Sequence, residues 1–415
     1  VCCDANFGML PRDIEIIEKV IASRHSTGYP YTISVQNAKN STERSYKIQK
    51  LLSDNMHTTG VTLSLQTTNQ NTLKNIRRAN IRSESFRELQ RRFARDGIYT
   101  YTDVIIGLPG ETYVEFADSI AQVIADGQHN HIQFHNCSIL PNAEMGDPEY
   151  IKKFGMVTAP LPIRAVYAPA DEEPEYEEFL DTVVATDAMP PQQWVQAKTF
   201  AWMTDLLYFD RLLQIPLLVT HERLGVSHRL LMESITEADE EQFPTLGWAR
   251  SLLRTQAALI QDGTLEFFKG SSGGNLLWPG DQYLYIEMVS ERRLDQFYQE
   301  AEKSLMEFTK LASDPLEESI IIQEAFSLNK ALLCLPDQDR DVSVVLSHDI
   351  LSYWRGVSEG ETPELTETMA SYRINRAART WSSIEDWAEF LIWCQGRDKR
   401  EYLYEITQSR RALAS

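Results

Sequence analysis

Polar side chains recur at every second position in three stretches of the chain: Thr32, Ser34 and Gln36; Thr62, Ser64 and Gln66; His131, Gln133 and His135. Side chains alternate across an extended strand, so each set shares one face and the intervening residues share the other. Polar faces side by side could line a wet cavity that takes a small molecule; the alternative is that these groups satisfy one another in a core. A second chemical feature is YTDVIIGLPGET, residues 101 to 112, whose apolar run stops on Gly107, Leu108, Pro109 and Gly110. The glycines free the backbone to turn and approach a ligand, and Glu111 and Thr112 open a helix whose first N–H groups and dipole can hold an anion. His129, His131, His135 and Cys137 are spaced by twos, which permits shared metal ligation, although His135 with Asn136 at a strand exit fits substrate contact better.

The elements that must position these groups alternate. Strands are expected over 1–6, 31–37, 60–66, 98–107 and 131–139, and each but the last is followed by an amphipathic helical stretch. That rhythm predicts βα units and a parallel sheet. An open sheet covered on both faces reads as continuous apolar runs, whereas here one face is polar, strand after strand, which favours a barrel with a wet lumen. Arg87, Arg91, Arg92 and Arg95 line a helix whose Phe86, Leu89 and Phe93 turn inward, and they read as a solvated face.

Composition bounds the class. The chain has 415 residues, 43% hydrophobic and 24% charged, which is globular and large enough for more than one core. It carries no apolar run of the ~20 residues that a membrane helix needs, and no signal-peptide pattern at its start, so a cytoplasmic protein without a membrane partner is expected. Five cysteines, Cys2, Cys3, Cys137, Cys334 and Cys394, form neither a disulfide framework nor a finger spacing. Residues 1–165 hold 18 basic against 17 acidic side chains, and the remainder 22 against 43. That asymmetry predicts two domains, 1–165 and an acidic, mainly helical 166–415, and argues against nucleic acid as a partner. In the second part Trp194, Trp202, Trp248 and Trp387 are expected to build a separate core, QYLYIEMVS (282–290) reads as a strand, and GSSGGN (270–275) reads as a turn.

Together the strand ends resemble the radical S-adenosylmethionine (SAM) superfamily, over roughly residues 1 to 160. GLPGET is the most recognisable element. SLQTTNQNTLKNIRRANI is similar to a stretch of oxygen-independent coproporphyrinogen oxidases and their relatives that carries a Gln and, twelve residues on, an Arg; Gln66 and Arg78 keep that spacing. The resemblance implies that Gln66 contacts the ribose of SAM, Arg78 pairs with the methionyl carboxylate, and Asp103 bonds the ribose hydroxyls. CCDANFGM looks like the second strand of the cobalamin-associated radical SAM group, which places Asp4 and Asn6 at the methionyl ammonium. SILPNAEM is similar to the last strand's exit, with Ile139 beside the adenine, and Gly107, Leu108 and Pro109 would meet SAM at the turn. Gln36, Gln133 and His135 are then candidates for substrate contact.

The implied fold is α/β: a partial parallel (β/α) TIM-like barrel, the second to sixth strands of a radical SAM barrel, followed by a mainly helical domain. The implied cofactors are SAM, a 4Fe-4S cluster and, in this group, cobalamin; the implied partners are a small-molecule or peptide substrate and an electron donor. The family's CxxxCxxC cluster motif is missing, and the adjacent Cys2 and Cys3 point to opposite faces of a strand and cannot replace it. The cluster ligands are therefore expected upstream of Val1, with no metal ligand in this chain. The alternative expectation is a catalytically inactive barrel scaffold whose acidic helical half binds a protein partner.

Overall fold

The computed structural model of the chain describes residues 2–4, 6–36, 43–56, 60–395 and 398–411. Its first part contains α1 (Arg12–Thr27), α2 (Glu43–Asn55), β1 (Val61–Thr62), α3 (Gln70–Asn75), α4 (Ser83–Arg95), β2 (Thr100–Ile106), α5 (Tyr113–Ala125) and β3 (Ile132–Asn136). The three strands pair in parallel in the order β1-β2-β3, with Asp103 opposite Gln133 and Ile105 opposite His135. Beyond β1 the chain stays bonded to β2, since the Gln66 N–H donates to the Asp103 carbonyl at 2.8 Å. The helices form where apolar residues recur at helical spacing: Phe86, Leu89 and Phe93 of α4 and Phe116, Ile120 and Val123 of α5 pack with Val61, Leu63, Leu65, Val104, Ile106 and Ile132 of the sheet. Ser64, Asp103, Ile105, Gln133 and His135 alternate with those buried residues and keep partial or full exposure.

This is a mixed α/β fold with a parallel sheet, and its assigned strands among the described residues number three, where five were expected. The two amino-terminal stretches are extended and joined by hydrogen bonds from the Cys2 N–H to the Ser34 carbonyl (2.8 Å) and from the Phe7 N–H to the Gln36 carbonyl (3.1 Å). Residues 1, 5 and 37 of those expected strands lie outside the described residues. Cys2, Ile33 and Val35 instead pack into a small satellite core with Phe7, Ile17, Ile21, Ile48 and Leu52, so this part of the chain is held by α1 and α2.

After β3 come β4 (Ser138–Ile139), α6 (Pro148–Phe154), β5 (Val157–Pro162) and β6 (Phe179–Ala185), the strands forming one antiparallel sheet in the order β4-β6-β5. The expected boundary at residue 165 thus falls between two hydrogen-bonded neighbours of a single sheet. Helices dominate the rest of the chain: α7 (Pro191–Thr204), which continues as a π-helical turn over Asp205–Phe209, α8 (Gln214–Leu224), α9 (His228–Thr236) and α10 (Pro244–Gln261). The hairpin β7 (Phe268–Ser271) and β8 (Gly274–Trp278) encloses the GSSGGN turn. Then come α11 (Gly280–Ser290), α12 (Leu294–Thr309), α13 (Pro315–Leu332), β9 (Val342–His348), α14 (Ile350–Ser358), β10 (Glu367–Ile374), α15 (Ile384–Cys394) and β11 (Ile406–Arg411).

The expected strand 282–290 is inside helix α11, which is buried on nearly all sides through Gln282, Leu284, Tyr285, Ile286 and Met288. Packing from every direction overrides the β preference of its aromatic and branched residues. Trp194, Trp202 and Trp387 are buried, but their core is not separate: one apolar cluster runs from Val61 through the sheet, α4 and α5 to Tyr404. Among the described residues no helix is long and apolar enough to cross a membrane.

Candidate functional site at the polar face of the sheet

The polar face carries a hydrogen-bonded chain from the segment just after β1 across β2 to β3. Ser64 donates its hydroxyl to Asp103 of β2, and His135 Nε2 of β3 lies 3.3 Å from the other carboxylate oxygen of Asp103. Gln133 stands opposite Asp103 in register. At the exit of the first strand Gln66 has φ 63°, a left-handed conformation that costs an ordinary side chain on the order of 1–2 kcal/mol. Its backbone is locked there, the N–H to Asp103 and the carbonyl accepting from the Ile105 N–H at 3.0 Å.

That conformation is held from below by a network the sequence did not announce. Glu111, the acidic residue of GLPGET, is fully buried and accepts from Thr67 Oγ1, the hydroxyl just after Gln66. Thr67 also meets Ser119 at 3.2 Å and accepts from the Asn69 N–H at 3.0 Å, while Asn69 donates to Glu115 at 2.7 Å. The two most recognisable loops of the sequence are therefore bolted to each other. Burial pushes the Glu111 carboxyl up to about 8, with the Glu115 charge adding and Thr67 opposing, and its second oxygen has no partner. It is neutral at physiological pH and acts as a structural post.

The GLPGET turn itself differs from expectation. Thr112 caps α5 by a capping box with Glu115, in which the Glu115 N–H donates to Thr112 Oγ1 at 3.3 Å and the Thr112 N–H to Glu115 Oε2 at 2.9 Å. The N–H groups of Thr112 and Glu115 at the helix start are thus satisfied internally and are not offered to an anion. Gly107 (φ 84°) leaves little room for a Cβ, because the Trp194 indole fills that side, 3.2 Å from the ideal Cβ position. Leu108 is buried with Cys137, Met156 and Val183, with Ile76, Ile105 and Ile139 packed around them, and the Pro109 carbonyl accepts from Asn75 at 2.9 Å. Ile139 is thereby brought next to Leu108 and the end of β2.

Arg78 is exposed and makes no hydrogen bond or ion pair through its guanidinium with any described residue. Asp4, Asn6 and Gln36 are exposed; the Asp4 carboxylate accepts from the Asn6 N–H at 2.9 Å, a local turn that explains the pair without a ligand.

Beside His135 the face opens into a cavity of about 410 Å³ walled on the far side by α7, β5 and residues 265–267. Gln133, His135 and Asn136 line it from the sheet. From α7 comes Lys198, 2% exposed, which donates to Asn136 at 3.0 Å and pairs with Glu266, its ammonium 4.7 Å from the Trp202 ring. Asp205 and Asp281 floor the cavity. Desolvation pushes Asp281 up to about 8, with Asp210 adding to it, and also raises Asp205 well above the carboxylate range. A lysine inside the largely apolar, aromatic stretch WVQAKTFAWM was the one sequence signal for this wall.

No family profile matches the chain. It is 36% identical over 238 residues to the cobalamin-dependent radical SAM methyltransferase TokK of Streptomyces tokunonensis, a match that covers 57% of this chain and 34% of that protein. To the 2-(S-pantetheinyl)-carbapenam-3-carboxylate methyltransferase of Streptantibioticus cattleyicolor it is 40% identical over 207 residues, 50% of this chain and 30% of the other. The match thus spans about a third of the length of these curated relatives. Among solved structures, the radical SAM methyltransferase TsrM of Kitasatospora setae, with tryptophan and a SAM analogue bound, aligns at a TM-score of 0.36 and 14% identity, over 49% of this chain and 43% of that one.

Proposed function

We propose that this chain, a relative of the cobalamin-dependent radical SAM methyltransferases, is part of an enzyme of that class and forms its SAM-binding face and one wall of its substrate cavity. The carrying observation is the polar sheet face, where Ser64, Asp103 and His135 are hydrogen-bonded from just after β1 across β2 to β3 beside a backbone-strained Gln66. Strain held by a surrounding network marks a position kept for function and not for folding. Asp103 is the ribose acceptor on this reading, Arg78 the unspent cation for the methionyl carboxylate, and Leu108 with Ile139 the apolar flank of the adenine. The three parallel strands are read as part of a (β/α) barrel whose lumen is the polar face. The acidic half packs its Trp194 on Gly107 and so supports the site from outside.

With a cluster and cobalamin bound, such an enzyme gains the electron and the methyl carrier for alkylating a substrate carbon. The cluster does not fit this chain's own residues. Cys137, Cys334 and Cys394 are buried, desolvation pushes each thiol up to about 12, and no three His, Cys, Asp or Glu side chains among the described residues are placed to share a metal. What these residues do is bind, orient and exclude water. The cavity beyond His135 suits a small molecule, and Lys198, Asn136 and the neutral carboxyls of Asp205 and Asp281 offer it hydrogen bonds in a partly dry site.

The test is SAM affinity, measured by calorimetry on the full-length protein with its cluster reconstituted. Asp103→Ala and Arg78→Ala are each expected to weaken SAM by roughly 1.5–3 kcal/mol, the worth of a hydrogen bond to a charged group. Unchanged affinity in both variants would falsify the site.

A further inference from the structure

At the opposite end of the parallel strands lies a larger cleft, of about 750 Å³, that the SAM site does not use. It is bounded by Tyr99 and Thr100 at the start of β2, by residues 127–130 before β3, and by α14 across from them. Its volume falls in the range of small-molecule sites. Deep in its wall is Arg211, 3% exposed and held at φ 67°. Among the described residues no carboxylate pairs with its guanidinium: Nη1 donates to Gln214 Oε1, a neutral acceptor, and Nε–H has no partner. Gln214 is itself fixed by donating to the His129 carbonyl at 2.9 Å and accepting from Trp354 at 3.2 Å, so the cation is positioned and not adrift.

Two more lining residues have the same defect. Gln90 accepts from Thr100 at 2.6 Å through its amide oxygen, yet its amide nitrogen is buried without a partner, and so is the Ser358 hydroxyl. Three buried groups able to donate, one of them a cation, thus converge on a single cleft. Among the described residues the acidic side chains of the rim make no hydrogen bond or ion pair with these three groups. Asp398 is bonded to Arg400 and Glu401 to Arg379, while Glu405 is exposed to solvent, as is Glu359 beside an unpaired Arg355. Asp398 and Asp210 are near enough for their charges to favour the Arg211 cation, but among the described residues neither bonds it, and a buried guanidinium with a free N–H is costly and is tolerated where a ligand's oxygen completes it. Desolvation pulls the Arg211 guanidinium down to about 10, which still leaves it charged at neutral pH.

We propose that this cleft binds a small molecule bearing an oxyanion, a carboxylate or a phosphate group, anchored on Arg211 with Gln90 and Ser358 as further donors and with Trp354 and Leu332 against its apolar part. The site is separate from the SAM face, which allows a ligand there to act on the junction between the sheet and the helical half.

Inorganic phosphate and succinate are the probes, each titrated into the 415-residue chain against potassium chloride at equal ionic strength. Thermal midpoint and hydrogen–deuterium exchange are the readouts. One of the two anions is expected to raise the midpoint saturably and to slow exchange in 127–130 and 354–359, and which one does so separates phosphate from carboxylate chemistry. Arg211→Gln is expected to weaken that binding roughly 10- to 100-fold and to leave SAM affinity of the reconstituted full-length protein unchanged. Should Arg211→Gln fail to fold, Ser358→Ala is expected to weaken it several-fold. Neither anion exceeding potassium chloride, or protection that survives in folded Arg211→Gln, overturns the proposal.

Discussion

Glu111 titrates where its burial leaves a measurable trace. Its carboxyl is raised to about 8 in the folded chain from an ordinary 4.5, so the folded state keeps a proton that the unfolded state has already lost between those values. Its contribution to stability is therefore full below about pH 4.5 and is lost progressively as pH rises through about 8, with little further change above. At ~1.4 kcal/mol per unit, tempered by relaxation around a buried group, the loss is on the order of 2–4 kcal/mol. Glu111→Gln keeps the oxygen that accepts from Thr67 and removes the titration. Denaturant unfolding across pH 5–8 should accordingly show a shallower fall for the variant; parallel pH profiles for the two proteins would remove Glu111 from this role.

Helix α5 and the turn before it join the polar face of the sheet to the rest of the protein, and two substitutions probe that join in different ways. Thr112→Ala removes the capping box and is expected to cost ~1 kcal/mol. Gly107→Ala is expected to cost more, since a Cβ would stand 3.2 Å from the Trp194 indole nitrogen and 3.4 Å from the Val183 carbonyl at a φ of 84° that alanine resists. The two separate in function as well as stability: the Gly107 variant displaces the turn that flanks Ile139 and should also weaken SAM, whereas the cap variant should not. Equal small losses in both, with SAM binding untouched, would show that the Trp194 contact has slack.

Over the whole molecule the apolar cluster shared by the sheet and the helical half sets cooperativity. Cross-links between the two parts are numerous and specific: Tyr113 donates to Glu233 at 2.8 Å, His129 meets the Tyr208 hydroxyl at 2.8 Å, and Arg229 pairs with Asp118 at 2.6 Å. Residues 61–404 are therefore expected to unfold in one transition, with tryptophan fluorescence and far-ultraviolet dichroism superimposed. The satellite core of α1 and α2 should open earlier and exchange its amides faster. Two well-separated transitions, one for the sheet and one for the tryptophans, would instead restore the picture of independent domains split near residue 165.

By itself the sequence determined which local face of several elements is buried, because that is written in spacing of two or of 3.6: the apolar and polar sides of 60–66 and 131–139, the inward Phe86, Leu89 and Phe93, and a helix opening just after GLPG. It also placed Gln133 and His135 on one face of their strand, which follows from alternation alone, whereas the register of the sheet set Asp103 opposite Gln133. Tertiary structure decided what meets across distance. Trp194 on Gly107, Lys198 on Asn136 and Lys399 on Asp210 at 2.8 Å all join residues to elements far away in the chain, and only the fold leaves the Nε–H of Arg211 buried without a partner. Periodicity reports that a side chain is inside without naming its neighbour, and the charge state, partner and role of a buried polar group depend on that neighbour.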